Sequence, residues 1–282
     1  MPGVSGTSEQ AHSALDLAGR RGIVTGGGRG IGRELALRLG ALGGDLLLVG
    51  RNEATLQATA QDVRDAGGSA RTLAADLTDP AAPDRVVAAA LEGGGIDLLV
   101  NNAGNVRAGR LESVPAADVQ AMIALNLTAA VLLTRAALPA LKAAERGGIV
   151  LSISSGIGLL PLPFYSVYAA TKTGLAGFGH ALRREVHGTG LHVATLYPGA
   201  TATDMMASSE AGESLGFGRR PVEDVVDDLM AALERGEHEI NTALPTRRGM
   251  QELHRTDPLA VDERLAPTLD DLERAVRNHS SI

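Results

Sequence analysis

The chain has 282 residues, 44% of them hydrophobic, enough for one large globular domain with a substantial core. Its net charge of −7 argues against a general nucleic-acid or anionic-membrane binder, and the lack of cysteine excludes disulfides and thiolate chemistry. The first 20 residues have neither a basic start nor an apolar run, so they read as no signal peptide, and residues 1–18 are expected to be a mobile tail. No stretch approaches the ~18 consecutive apolar residues of a membrane span, and a soluble, cytoplasmic protein is expected.

From Arg21 onward short β-like runs alternate with helical patterns. Residues 21–25, 45–50, 70–75, 96–101, 147–153 and 191–197 read as strands. Helices are expected at Ile31–Leu42, Glu53–Ala66, Pro80–Leu91, Ala116–Ala144, Ser166–His187 and Pro221–Arg235. The strand runs are nearly all apolar, the pattern of strands covered on both faces. Such alternation predicts an α/β fold: a doubly wound parallel sheet with helices on each side, over residues 19–245. Ligands then sit beyond the carboxyl ends of the strands, where the winding reverses. All six Phe and Tyr residues fall between Phe164 and Phe217, which suggests where a non-polar ligand sits.

Directly after the first strand comes Thr25-Gly26-Gly27-Gly28-Arg29-Gly30-Ile31-Gly32, leading into a helix. Glycines there permit a tight turn and let backbone amides approach a diphosphate, which the helix N-terminus stabilises. The Gly-x-x-x-Gly-x-Gly spacing at 26, 30 and 32 differs from the common dinucleotide fingerprint Gly-x-Gly-x-x-Gly. Further along, Tyr168 and Lys172 stand one helical turn apart, and Lys172 is one of only two lysines against 24 arginines. A free tyrosine titrates near pH ~10, and an adjacent ammonium is expected to pull it down toward the range useful for acid–base work. The histidines show no metal-ligand arrangement, and the serines lack a nucleophile elbow.

With Asn101–Gly104 (Asn-Asn-Ala-Gly), Ser155 thirteen residues before Tyr168, and Pro198–Thr203, these motifs resemble the short-chain dehydrogenase/reductase family over about residues 20–240. The resemblance implies that Tyr168 is the proton donor in ketone reduction and the base in alcohol oxidation. It implies that Lys172 depresses the tyrosine pKa and hydrogen-bonds the nicotinamide ribose. Ser155 would donate to the substrate oxygen, and Asn126 would hold a water for proton relay. Ser154 and Tyr165 are neighbours of these positions rather than candidates. The implied cofactor contacts are Gly26, Gly28, Arg29, Gly30, Ile31 and Gly32 in the turn, then Arg51 and Asn52, then Asp76 and Leu77. Asn101, Ala103 and Gly104 follow, and Tyr168, Lys172, Pro198, Gly199, Thr201 and Thr203 complete the set.

Cofactor choice turns on the end of the second strand, where Gly50 and Arg51 stand in place of the acid that usually accepts from the ribose hydroxyls. A guanidinium suits a 2′-phosphate, and Arg29 supplies a second charge, so NADP(H) is expected. The rivals are an NAD-dependent alcohol dehydrogenase of the same family and a non-catalytic dinucleotide sensor.

Leu159–Tyr165 is apolar and stiffened by prolines, and residues 204–220, with Met205, Met206 and Phe217, fit a mobile lid over a hydrophobic ketone. Residues 246–282 form a helical extension. In it Leu265, Leu269, Leu272 and Val276 make one apolar stripe, and Thr268 with Asp271 resembles a capping box. The stripe is expected to bury on the chain's own surface or in a subunit contact, and the family resemblance implies a homodimer or homotetramer.

Overall fold

The structure, a computed structural model, describes residues 14–282. Seven strands form one sheet in the order β3-β2-β1-β4-β5-β6-β7, every pair parallel. They are β1 Arg21–Thr25, β2 Asp45–Gly50, β3 Ser69–Ala74, β4 Leu98–Asn101, β5 Ile149–Ile153, β6 His192–Tyr197 and β7 Glu239–Asn241. The first six match the expected runs. The short β7 escaped notice because three residues carry too little periodicity to register.

Both faces of the sheet are covered. Helices α1 (Gly30–Ala41), α2 (Glu53–Asp65) and α7 (Val222–Glu234) bury Leu39, Leu56, Val63 and Leu229 against one face. Helices α3 (Ala82–Glu92), α5 (Ala130–Lys142) and α6 (Ser166–Glu185) bury Val86, Leu133, Leu141 and Leu182 against the other. This is why the strand interiors read as continuous apolar runs: Leu46 to Val49 of β2 are all buried. α2 starts where Asn52 caps it, accepting from the Thr55 N–H at 3.1 Å.

The expected single helix over 116–144 is divided. α4 (Ala116–Ile123) passes into a π-helical stretch, Ala124–Ala129, before α5. The extra residue per turn accompanies a tertiary bond: buried Asn126 accepts from the Asn105 N–H at 2.8 Å and donates to the Asn105 carbonyl at 2.9 Å. Among the described residues, 116–142 is the one helical run long and apolar enough to cross a membrane by length and composition. It packs on α3 and α6.

The expected tail ends earlier than residue 18. Leu15 donates its N–H to the Glu234 carbonyl at 3.1 Å, and Leu17 is buried in the core. Residues 1–13 of that tail lie outside the described residues. The extension comprises α8 (Pro245–Thr256), α9 (Pro258–Leu265) and α10 (Leu269–Val276). Its stripe folds back on the chain: Leu272 and Val276 are buried in a third apolar cluster with Val106, Leu160, Tyr165 and Phe217. The capping box does not form, because the Thr268 hydroxyl donates to the Leu265 carbonyl instead.

Candidate active site

A cleft of about 830 Å³ opens beyond the carboxyl ends of the strands. It lies where the winding reverses between β1 and β4, as doubly wound sheets require. One end is made of backbone. Gly26 and Gly30 have φ of 64° and 55°, the left-handed region that favours glycine. A Cβ on Gly28 would stand 2.6 Å from the Thr55 hydroxyl oxygen, so the turn depends on bare backbone. Asn102 holds it from behind: its amide donates to the Thr25 carbonyl at 2.8 Å, and its N–H donates to the Thr25 hydroxyl at 2.9 Å. That brace went unread in the sequence, where only its neighbours were assigned.

Gly26, Gly28, Arg29, Gly30, Ile31, Arg51, Asn52, Asp76 and Leu77 all line this end. Asp76 accepts from the N–H and the hydroxyl of Thr78, at 2.9 and 2.7 Å. Those bonds hold its carboxyl below the usual range, with Arg51 adding to the effect. Arg29 and Arg51 are exposed and, among the described residues, neither has an acid within ion-pair distance. A glycine cradle with two uncommitted guanidiniums fits a dinucleotide bearing a 2′-phosphate.

At the centre Ser155, Tyr168 and Lys172 converge with Ala103, Gly104, Pro198, Gly199, Thr201 and Thr203 on the same cleft. Ser155 stands two residues beyond β5 and caps the 3₁₀ turn Gly156–Gly158, its oxygen accepting from the Ile157 N–H at 3.2 Å. Tyr168 and Lys172 ride the first turns of α6. Lys172 is buried, with its ammonium donating to the Ile153 carbonyl at 2.9 Å. A Cβ on Gly104 would lie 3.4 Å from its nitrogen, so this glycine leaves room for the lysine.

The electrostatics correct one expectation. Burial pushes Tyr168 up to about 12, with a hydrogen bond from Ser155 opposing, and burial pulls Lys172 down to about 8. Burial is the larger influence on the phenol, and the Lys172 ammonium donates to Ile153 and stands 5.8 Å from the tyrosine ring centre.

Three assigned residues do not border the cleft. Asn101 points into the sheet's helical cover, its amide donating to the Thr134 hydroxyl at 2.8 Å. Gly32 is a packing glycine, since a Cβ there would meet the Asn102 amide at 2.3 Å. Asn126 lies behind Asn105 and also donates to the Thr171 hydroxyl at 3.2 Å, so its amide braces the loop after β4.

The far end of the cleft is apolar and built of side chains. Leu160, Leu162, Tyr165, Met205, Met206 and Phe217 line it, with Val106 and Ile282. Phe164, beside Tyr165, is the one non-glycine residue at positive φ (69°) among those described. His279 carries no sequence signal that ties it to the site, and its position there was missed. Its Nε2 lies 2.9 Å from the Met205 carbonyl, which can only accept, so the proton sits there and Nδ1 accepts from the Tyr165 hydroxyl at 2.7 Å. Residues 204–220 contain two 3₁₀ turns and are tied to the extension, Glu210 donating to the Ala275 carbonyl at 2.9 Å.

A family model described as short chain dehydrogenase matches residues 21–214, which include the glycine turn, Ser155, Tyr168 and Lys172. The chain belongs to the short-chain dehydrogenase family. A short chain dehydrogenase of Pseudocercospora fijiensis is 33% identical over 198 residues, 69% of this chain. The ketoacyl reductase HetN of Nostoc is 35% identical over 185 residues, 65% of this chain. The match spans 64% of the length of each of these curated relatives. A short chain dehydrogenase of Burkholderia cenocepacia, solved in complex with NADP, superposes with a TM-score of 0.72 at 32% identity, covering 80% of this chain and 95% of that one. As a family member, this chain is an oxidoreductase on a Rossmann-type sheet.

Proposed function

We propose that this dehydrogenase/reductase uses NADP(H) to reduce the carbonyl of a hydrophobic small molecule, and to oxidise the alcohol in reverse. The observation that carries the reading is the convergence of Ser155, Tyr168 and Lys172 on one cleft beside a glycine cradle. Gly26 to Ile31 would hold the diphosphate, Arg29 and Arg51 the 2′-phosphate, and Lys172 the nicotinamide-side ribose. When bound, the reduced nicotinamide supplies hydride to the carbonyl carbon. As charge builds on the carbonyl oxygen, the Ser155 hydroxyl donates a hydrogen bond to it. The Tyr168 O–H bond breaks, and its proton passes to that oxygen, giving the alcohol and a phenolate. A phenol raised by burial is a firmly protonated donor in the reductive direction. The NADP complex of the Burkholderia relative and the ketoacyl reductase name of the Nostoc relative support the cofactor and the direction.

The apolar far end supports a hydrophobic substrate. We also propose a cytoplasmic homodimer or homotetramer, with no membrane or nucleic-acid partner. The run 116–142 leaves apolar residues such as exposed Ile123 for a second copy to cover. The cofactor test is a titration of the full chain with NADPH and NADH, followed by nicotinamide fluorescence. A clear NADPH preference supports Arg51 and Arg29 as phosphate ligands. An NADH preference points instead to an oxidative role, and binding of neither by folded protein removes the enzyme reading.

A further inference from the structure

Three arginines line the cleft: Arg29, Arg51 and Arg247. Elsewhere the fold neutralises arginine freely, Arg33 with Asp62 and Arg220 with Asp228, each at 2.7 Å. Among the described residues none of the three cleft arginines has a carboxylate within ion-pair distance. Arg29 in the glycine turn and Arg51 after β2 stand at one end and are taken up by the cofactor reading. Arg247 stands at the opposite end, beside Phe217, and that reading gives it no partner.

Its surroundings are those of a cation held in readiness. Arg247 lies in the first turn of α8, which carries no acidic residue. One nitrogen, Nη2, donates to the Gly216 carbonyl at 2.5 Å, and the guanidinium carbon stands 5.3 Å from the Phe217 ring centre. Among the described residues its remaining N–H groups have no protein acceptor within hydrogen-bond distance. The side chain is half-buried, and burial holds its pKa below the usual guanidinium value. A cation withdrawn from water and left unpaired is costly, and the cost is recovered when an anion completes it. Glu213 borders a small hollow next to it, and exposed Asp204 borders the cleft, but both lie beyond ion-pair distance. Rings bridge the space to the chemistry: Phe217 to Tyr165 is 6.1 Å and Tyr165 to Tyr168 is 6.4 Å, centre to centre.

We propose that Arg247 anchors a carboxylate of the substrate, so that the substrate is a ketone with an apolar body and an acid group remote from the reacting carbonyl. This rests on the carbonyl-reductase reading and narrows its substrate class. The fork of free guanidinium N–H groups matches a carboxylate, and Phe217 fixes the plane in which the fork lies. The apolar body then lies along Leu160, Leu162 and Met206, which border the same space.

The test uses the full chain with NADPH and a series of oxo acids of increasing carbonyl-to-carboxylate distance, each paired with its methyl ester. At the best length, kcat/KM for the acid should exceed that for the ester by about 10- to 100-fold, mainly through KM. Added salt should raise KM for the acid and not for the ester. Arg247→Met should bring the acid-to-ester ratio close to one, and Arg247→Lys should restore part of it. No acid preference in the wild type, or an unchanged ratio in folded Arg247→Met, overturns the proposal. Should Arg247→Met fail to fold, the wild-type ratio and its salt dependence decide. Reduction of neutral ketones without acid preference defeats this proposal alone, whereas NADPH binding without reduction of any ketone defeats the underlying reading as well.

Discussion

The cleft has two ends made in different ways. At the adenosine end the wall is backbone: the positive-φ glycines of one short turn, braced from behind by Asn102 after β4, and the capped start of α2. At the substrate end the wall is side chains drawn from distant segments, Val106 after β4, Tyr165 before α6, Phe217 before α7, and Arg247, His279 and Ile282 from the extension, with Leu272 and Val276 packed behind them. A ligand common to many proteins can be held by peptide groups, which any sequence supplies once glycine allows approach. A ligand particular to one protein has to be met by side chains, and these can be exchanged without disturbing the sheet. The two ends should therefore respond differently to mutation.

The sharpest separation comes from Lys172, which sits between them. Lys172→Met should lower turnover by at least about 100-fold. It should also stabilise the unliganded protein at pH 7 by about 1–3 kcal/mol, since a buried cation is removed. The sign follows from the shift: the folded lysine titrates near 8 and its ordinary value is 10.5. Below pH 8 both states are protonated and the folded one bears the burial penalty. Between 8 and 10.5 the folded state gives up its proton first, so wild-type stability rises with pH and the variant's advantage narrows. Thermal melts of both proteins across that range check it.

Next in size is Leu272→Ala. Truncating a buried leucine should cost about 2–4 kcal/mol and raise KM for ketones, with NADPH titration unaltered. Equal damage to both ligands would show that the two ends are not independent. At the other end, Arg51→Glu should weaken NADPH by about 20-fold and NADH far less, as fluorescence titration reads. The smallest effect is expected from Tyr165→Phe, which leaves the buried His279 Nδ1 without its donor. It should cost about 1–2 kcal/mol in chemical denaturation and disturb substrate affinity rather than cofactor affinity.

The contrast also explains what was legible beforehand. Six strands announced themselves through apolar runs, and the glycine turn, Ser155, Tyr168 and Lys172 through local spacing. Asn101 and Gly32 were placed at the cleft by motif membership, yet a motif is kept as much by packing as by contact: Asn101 bonds to Thr134, and Gly32 makes room for Asn102. His279 and Arg247 carry no local pattern. Their neighbours, Tyr165 and Phe217, come from segments 114 and 30 residues away, and only the folded chain brings them together. The Tyr168 pKa rises where helical spacing anticipated a fall, since spacing reports proximity and not how deeply the folded chain buries the phenol.

The most direct test of the account is ketone-dependent oxidation of NADPH by the wild type and by Tyr168→Phe, with NADPH titration of both as the control. The account predicts turnover in the wild type, a fall of at least about 1,000-fold in the variant, and cofactor affinity kept within a few-fold. Near-normal turnover in a Tyr168→Phe variant that binds NADPH would contradict it.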